Sequence, residues 1–143
     1  PKDLDDLDRD ADFHRLTTEY SFPIGRRMRL TPILRYTRGE ADGDANSFHG
    51  LTPQLSLLYF GNQLQASVNV SAKAEWYDSK HPVFDKTRRD FNPGLFAVLG
   101  YKEPFGFENF RIDWFNAFFK SNSNIDFYDS SNFISAVGLG YTF

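Results

Sequence analysis

Cysteine is absent, so the chain has neither a disulfide framework nor a thiolate metal site. No run of about eighteen apolar residues occurs, which excludes a transmembrane helix. A transmembrane barrel escapes that test, because only every second residue of its strands must be apolar. The formal net charge of −3 is too small to imply nucleic acid or another highly charged partner. Histidine is scarce: His14, His49 and His81 are the whole set, and none sits in a recognisable nucleophile motif. No signal peptide opens the chain, since Pro1-Lys2-Asp3-Leu4-Asp5-Asp6 is acidic rather than basic and then apolar. We therefore expect a mature chain, or a piece of a longer one, whose 143 residues make one domain or less.

Aromatic residues are what the sequence does have: sixteen Phe and seven Tyr, in a chain whose mean hydropathy is still polar. They ride on a period-two alternation that recurs seven times. The clearest stretch runs from Gln63 to Trp76. Leu64, Ala66, Val68, Val70, Ala72, Ala74 and Trp76 fall on one face, and Gln63, Gln65, Ser67, Asn69, Ser71, Lys73 and Glu75 on the other. A helix would scramble both sets. The same alternation predicts strands over 14–22, 27–37, 50–59, 91–102, 109–120 and 132–143.

Short connections at Pro23–Arg26, Phe60–Asn62 and Glu103–Gly106 alternate with longer polar ones at 39–46, 77–90 and 121–131. That asymmetry is the pattern of outer-membrane barrels, with short periplasmic turns and long external loops. Strands of about ten residues also suit a tilted membrane crossing. A soluble sandwich or lipocalin-like barrel would show identical periodicity with the apolar face buried. Aromatic placement favours the membrane. Tyr20, Phe22, Tyr59, Tyr101, Tyr141 and Phe143 sit at one end of their strands, and Tyr36 and Trp76 at the other, as two interfacial girdles require.

The reading is thus an all-β, antiparallel up-and-down transmembrane β-barrel with about seven strands in this chain. Residues 1–12 form an acidic external loop segment, and 13–143 the barrel strands. Pro32 and Pro53 count against a closed barrel, which needs every ladder donor. In a hairpin centred near Asp42-Gly43 they would lie opposite one another, at a local bulge or weak seam. Seven strands ending in the periplasm place the N-terminal segment outside. A complete bacterial barrel has an even number, so a second chain or an N-terminal part is expected to complete it.

The chain closes on Gly138-Leu139-Gly140-Tyr141-Thr142-Phe143, with Leu139, Tyr141 and Phe143 on alternate positions. Gly138, Leu139, Tyr141 and Phe143 resemble the C-terminal signal by which Gram-negative outer-membrane barrels are recognised by their assembly machinery. Ala136 stands where that pattern has a polar residue. The stretches His81–Asp90, Pro104–Asn109 and Ser123–Ser130 resemble the C-terminal barrels of poorly characterised outer-membrane proteins. They are also similar to the barrels of surface lipoprotein assembly modifiers. The resemblance covers about the last sixty residues. It implies an outer-membrane location, contact with lipid and lipopolysaccharide, and no catalytic residue.

Alternation assigns Arg15, Glu19, Arg27, Arg29, Arg35, Lys73, Glu75, Arg111 and Asp113 to the lumen side. Such a basic excess favours anions entering a pore, unless the charges pair across strands and fill the interior. Asp42, Asp44 and Asn46 open like a calcium loop, but Ser47 and Pro53 stand where it needs Gly and Glu. No metal or cofactor is expected. Ser47 and His49 share a face, yet neither an orienting acid nor an oxyanion hole accompanies them, and no enzyme is expected. Two functions remain: a pore for small polar solutes, anions among them, or a barrel that exports, displays or anchors a partner protein.

Overall fold

The structure, a computed structural model, describes residues 10–141. The alternating stretches become strands β1 (Ala11–Glu19), β2 (Phe22–Ile24), β3 (Met28–Ala41) and β4 (Phe48–Phe60). They continue as β5 (Leu64–His81), β6 (Lys86–Lys102), β7 (Phe110–Ser123) and β8 (Ser130–Tyr141). All belong to one antiparallel sheet in the order β1-β3-β4-β5-β6-β7-β8, with β2 also on β3. Each strand lies beside its sequence neighbour, which is up-and-down topology. β2 continues β1 in a single register: Glu19 pairs with Ile33, and Phe22 with Leu30. The eight segments therefore fill seven strand positions. Among the described residues β1 and β8 pair with nothing on their far sides, so the sheet keeps two free edges.

The gap between β1 and β2 has a chemical cause. The Tyr20 N–H donates to the Pro32 carbonyl (3.2 Å), but Pro32 has no N–H to return to Tyr20. Pro53 does the same on its other side. Its ladder with β5 lapses between Leu51–Ala74 and Gln54–Ser71. Pro93 repeats the pattern against β7, between Phe91–Asn122 and Gly94–Phe119. The predicted meeting of Pro32 and Pro53 is corrected by the register: Pro32 pairs with Leu55, and Pro53 with Leu34. The β3–β4 ladder runs unbroken from Met28–Tyr59 to Gly39–Phe48 because both prolines aim their bare nitrogens away from it. Each proline weakens a different interface.

The connections also differ from expectation. Residues 77–90 are not a long loop: β5 and β6 carry the ladder up to His81–Lys86, past a bulge between Trp76 and Lys80, leaving a turn at 82–85. Alternation fails there because the bulge shifts the face on which each side chain lies. The predicted tight turn at Glu103–Gly106 extends over 103–109 and holds Glu103, Phe105 and Asn109 at positive φ. The contrast between short and long ends is therefore smaller than predicted. The extra length of β5 and β6 stands beyond the neighbouring strand ends as paired hairpin.

This single sheet has almost no interior. Ala45 and Ile125 are the buried hydrophobic residues among those described, and no large side chain is fully buried. Stability then rests on the ladders and on whatever covers the two faces.

Pro32→Ala supplies the missing donor. We expect the amide introduced by that substitution to be as protected from hydrogen exchange as its neighbours. The net gain should not exceed about 1 kcal/mol, the worth of one hydrogen bond, and the freer unfolded chain offsets part of it. If the introduced amide exchanged at the solvent rate instead, β1 and β2 would have to separate for another reason.

Candidate functional site

The registers place eight of the nine predicted lumen residues on one face, here the charged face, and Arg27 lies in the turn just before β3. Arg15 stands opposite Thr37, Arg35 opposite Thr17 and Thr52, Lys73 opposite Asn92, and Glu75 opposite Gly50 and Asp90. Arg29 lies beside Leu58, and Asp113 between Gly100 and Gly138.

Charge is divided unevenly across that face. On β5 Lys73 Nζ pairs with Glu75 Oε2 at 2.9 Å, and on β7 Arg111 Nε with Asp113 Oδ1 at 2.7 Å. On β6 Arg88 grips Asp90 through Nε and Nη2, at 3.0 and 2.5 Å. Each pair is two residues apart on one strand, where period two puts both ends on the same face. Gly100 lets the Arg111–Asp113 pair lie against the backbone, since a Cβ there would fall 2.6 Å from Arg111 Nη2. Glu75 and Asp90 are buried and paired, so removing either cation would cost far more than at an exposed pair. The β1–β3 side is different. No described carboxylate lies within ion-pair distance of Arg15, Arg27, Arg29 or Arg35, and Glu19 is the one acid on that part of the face. Four free arginines thus line one side, while on β5–β7 each of the three carboxylates of this face has its own cation and Lys102 at the end of β6 adds another.

Above them runs a row of rings that the alternation did not single out. Phe13 stacks on Phe48 (centroids 6.3 Å apart) and Phe48 on Tyr77 (5.4 Å). The Arg88 guanidinium lies 4.6 Å from the Tyr77 ring and 3.5 Å from that of Tyr128. Gly39 makes room for this, because its missing Cβ would sit 2.6 Å from Phe48 Cε1. Burial pushes the Tyr77 phenol up to about 12, against the opposing pull of Arg88, so it stays neutral. Beneath Phe13 and Phe48 a cavity of about 330 Å³ is lined by Arg15, Arg35, Thr37, Thr52, Lys73 and Glu75. The Arg35 Nε is shielded from solvent and has no hydrogen-bond partner among the described residues.

The charged face is not polar throughout. Phe96, Phe115, Phe119 and Ile134 belong to it and form an aromatic sector over β6–β8. The signal was present as doublets, Trp114-Phe115 and Phe118-Phe119, since adjacent aromatics must occupy both faces of a strand.

On the opposite, apolar face, rows such as Tyr20–Pro32–Leu55–Val70–Leu95–Phe118–Phe133 cross all seven positions. Polar chemistry begins at one end of it. There the Tyr36 hydroxyl bonds His49 Nδ1 (2.6 Å), and Arg38 pairs with Asp78 (2.5 Å). His49 thus has partners, whereas the Ser47 hydroxyl is spent on the Ala41 backbone, accepting from its N–H at 2.9 Å. Asp44 and Asn46 form a short 3-10 turn, and the described residues hold no cluster of His, Asp and Glu fit for a metal. Of the predicted assembly signal, Gly138 lies on the charged face while Leu139 and Tyr141 lie on the apolar one, with Tyr141 against Phe110 (4.9 Å). Phe143 and the acidic residues Asp3, Asp5, Asp6 and Asp8 lie outside the described residues.

Residues 1–142 match a family described as "Protein of unknown function (DUF2860)". No curated protein and no solved structure matches the chain.

His81 ties the 82–85 turn to the 124–129 loop. Its Nδ1 accepts the Val83 N–H (3.3 Å), which leaves the proton on Nε2 for the Tyr128 hydroxyl (3.1 Å). Burial, and secondarily Arg88, hold its pKa below the ordinary 6.5. The unfolded chain then takes up the proton more readily, so this contribution is complete above pH 6.5 and is lost as pH falls below it. We expect the protection of the Val83 and Tyr128 amides, measured against the intrinsic exchange rate at each pH, to fall on acidification from about pH 7.5 to 5. His81→Phe should flatten that response. Equal pH dependence in the variant would remove His81 as its source.

Proposed function

The chain belongs to the DUF2860 family, and for it we propose an outer-membrane β-barrel wall that forms part of a pore for small polar solutes, with anions favoured. One observation carries this reading: the apolar face leaves Leu16, Leu34, Leu55, Val70, Leu95, Phe118 and Phe133 exposed, one on each of the seven strand positions. A water-facing monomer rarely bears a contiguous patch of more than a few hundred Å². Lipid is a natural cover for such a face. On β6 the apolar band runs from Phe91 to Tyr101, ten residues apart. That distance is about 33 Å at the usual rise. A tilt of about 40° reduces it to about 25 Å, the height of the lipid-facing band of outer-membrane barrels. Tyr36, Trp76 and Phe91 would mark one interface, and Tyr59, Tyr101, Trp114 and Tyr141 the other.

The charged face then turns to the lumen. Its free arginines on β1 and β3 set the sign of the field there, because the carboxylates of β5–β7 are already paired. The free edges of β1 and β8 would each leave N–H and C=O groups unpaired in hydrocarbon, at several kcal/mol apiece. A second chain, or further strands of the same polypeptide, is the partner this reading requires. The barrel assembly machinery would insert it, and lipid and lipopolysaccharide would surround it. The alternative, a barrel that exports, displays or anchors a protein, calls for one seam that opens. Pro32, Pro53 and Pro93 break three separate interfaces, which favours the pore.

Arginine at Val70 should cost about 2–4 kcal/mol, the range for a charge at the lipid-facing midplane. Asn69→Arg should be much milder. Thermal or denaturant unfolding in detergent reads the difference, and the opposite order of sensitivity would exchange the two faces.

In planar bilayers the full chain with its companion should pass anions in preference to cations under a salt gradient. Arg27→Gln with Arg29→Gln should lower that preference, whereas Lys73→Gln with Glu75→Gln, which removes a neutral pair, should change it little. Absence of any conductance would overturn the pore in favour of the display module.

A further inference from the structure

Arg15 and Arg35 differ from the other free arginines of the charged face because they share a cavity. Arg29, and Arg27 in the turn before it, lie toward the opposite strand end and are not among the residues that line it. The cavity, about 330 Å³, is at the small end of the range for ligand sites. Its chemistry is two-sided. Phe13 and Phe48 supply an apolar roof, held in place by the stack onto Tyr77 and by the space at Gly39. Below it Arg15 and Arg35 supply unpaired guanidinium groups, with the Thr37 and Thr52 hydroxyls beside them. Lys73 adds little net charge, since Glu75 neutralises it at 2.9 Å. A desolvated Arg35 Nε without a partner is costly unless an acceptor meets it.

We infer that this cavity binds a small organic carboxylate. The planar carboxylate matches the fork of a guanidinium, and the apolar body lies against the Phe13 and Phe48 rings. Inorganic phosphate would meet the arginines but has no apolar body to lie against the Phe13 and Phe48 rings. A neutral aromatic would leave the arginines unmet. The aromatic sector of Phe96, Phe115 and Phe119 on the same face suits the passage of the same amphipathic anions. The inference rests on the pore reading for its purpose, but its chemistry is local to the cavity.

Calorimetry of the full chain with its companion in detergent tests it without needing a current. Phenylacetate should bind. Inorganic phosphate, acetate and 2-phenylethanol should each bind at least about tenfold more weakly, the loss expected when one half of the contact is missing. Arg35→Gln should weaken phenylacetate roughly ten- to a hundredfold, the range for a hydrogen bond to a charged group. Arg15→Gln should weaken it in the same direction, and because Arg15 is exposed that variant keeps the result readable if Arg35→Gln does not fold. Phe13→Ala should lower affinity for phenylacetate and leave that for acetate unchanged. Arg27→Gln should bind phenylacetate as the parent does. Binding without conductance would uphold the site while removing the pore. Phosphate binding as tightly as phenylacetate, no phenylacetate binding, or equal affinity in Arg15→Gln and the parent would overturn the inference.

Discussion

Hydrogen bonding between neighbouring strands is the constraint on which everything else in this molecule depends. A sheet without an interior cannot trade a lost ladder bond against better packing, since hardly any side chain is buried enough to compensate. The places where the ladder lapses are therefore informative. Pro32, Pro53 and Pro93 each withhold one donor, and the strand pairing breaks at each of those positions and resumes in register beyond it. The β3–β4 and β7–β8 ladders run unbroken because no proline nitrogen points at them, and β5–β6 is interrupted by the bulge after Trp76 instead. Spread in this way, the three breaks leave no interface doubly weakened.

The same backbone arrangement decides the electrostatics. Period two places residues two apart on one face, so a strand that carries Lys73 and Glu75, or Arg111 and Asp113, neutralises itself without help from its neighbours. β3 carries Arg29 and Arg35 on that face, just after Arg27, with no acid between them, and β1 adds Arg15. The basic excess is thus concentrated on the β1–β3 side, with Lys102 at the end of β6 as a further cation. Burial sharpens the contrast: Glu75 and Asp90 lie shielded and paired, whereas Arg15, Arg27 and Arg29 stand exposed.

Much of the fold was legible because alternation is a local property. Seven strand positions, their order, their shared faces and the placing of eight charged residues on one side all follow from period two and short connections. Legibility failed where the period was interrupted. The bulge after Trp76 disguised the ends of β5 and β6 as loop, and the positive φ values at Glu103, Phe105 and Asn109 lengthened a turn read as tight. The doublets Trp114-Phe115 and Phe118-Phe119 were visible, but reading β7 by its cleaner face hid the aromatic sector on the other.

What the sequence determined by itself is the two-faced antiparallel sheet, because side-chain direction in a strand depends on nothing beyond the next residue. Which of the paired charges are buried was decided by the tertiary structure, since Glu75 and Asp90 stand opposite one another only through the pairing of β5 with β6. So was the offset of Pro32 from Pro53, which depends on the exact pairing of β3 with β4. The row from Phe13 through Phe48, Tyr77 and Arg88 to Tyr128 joins residues from four strands and a distant loop, and no local period relates them. Register brings them together, and register is a relation between strands that no single strand contains.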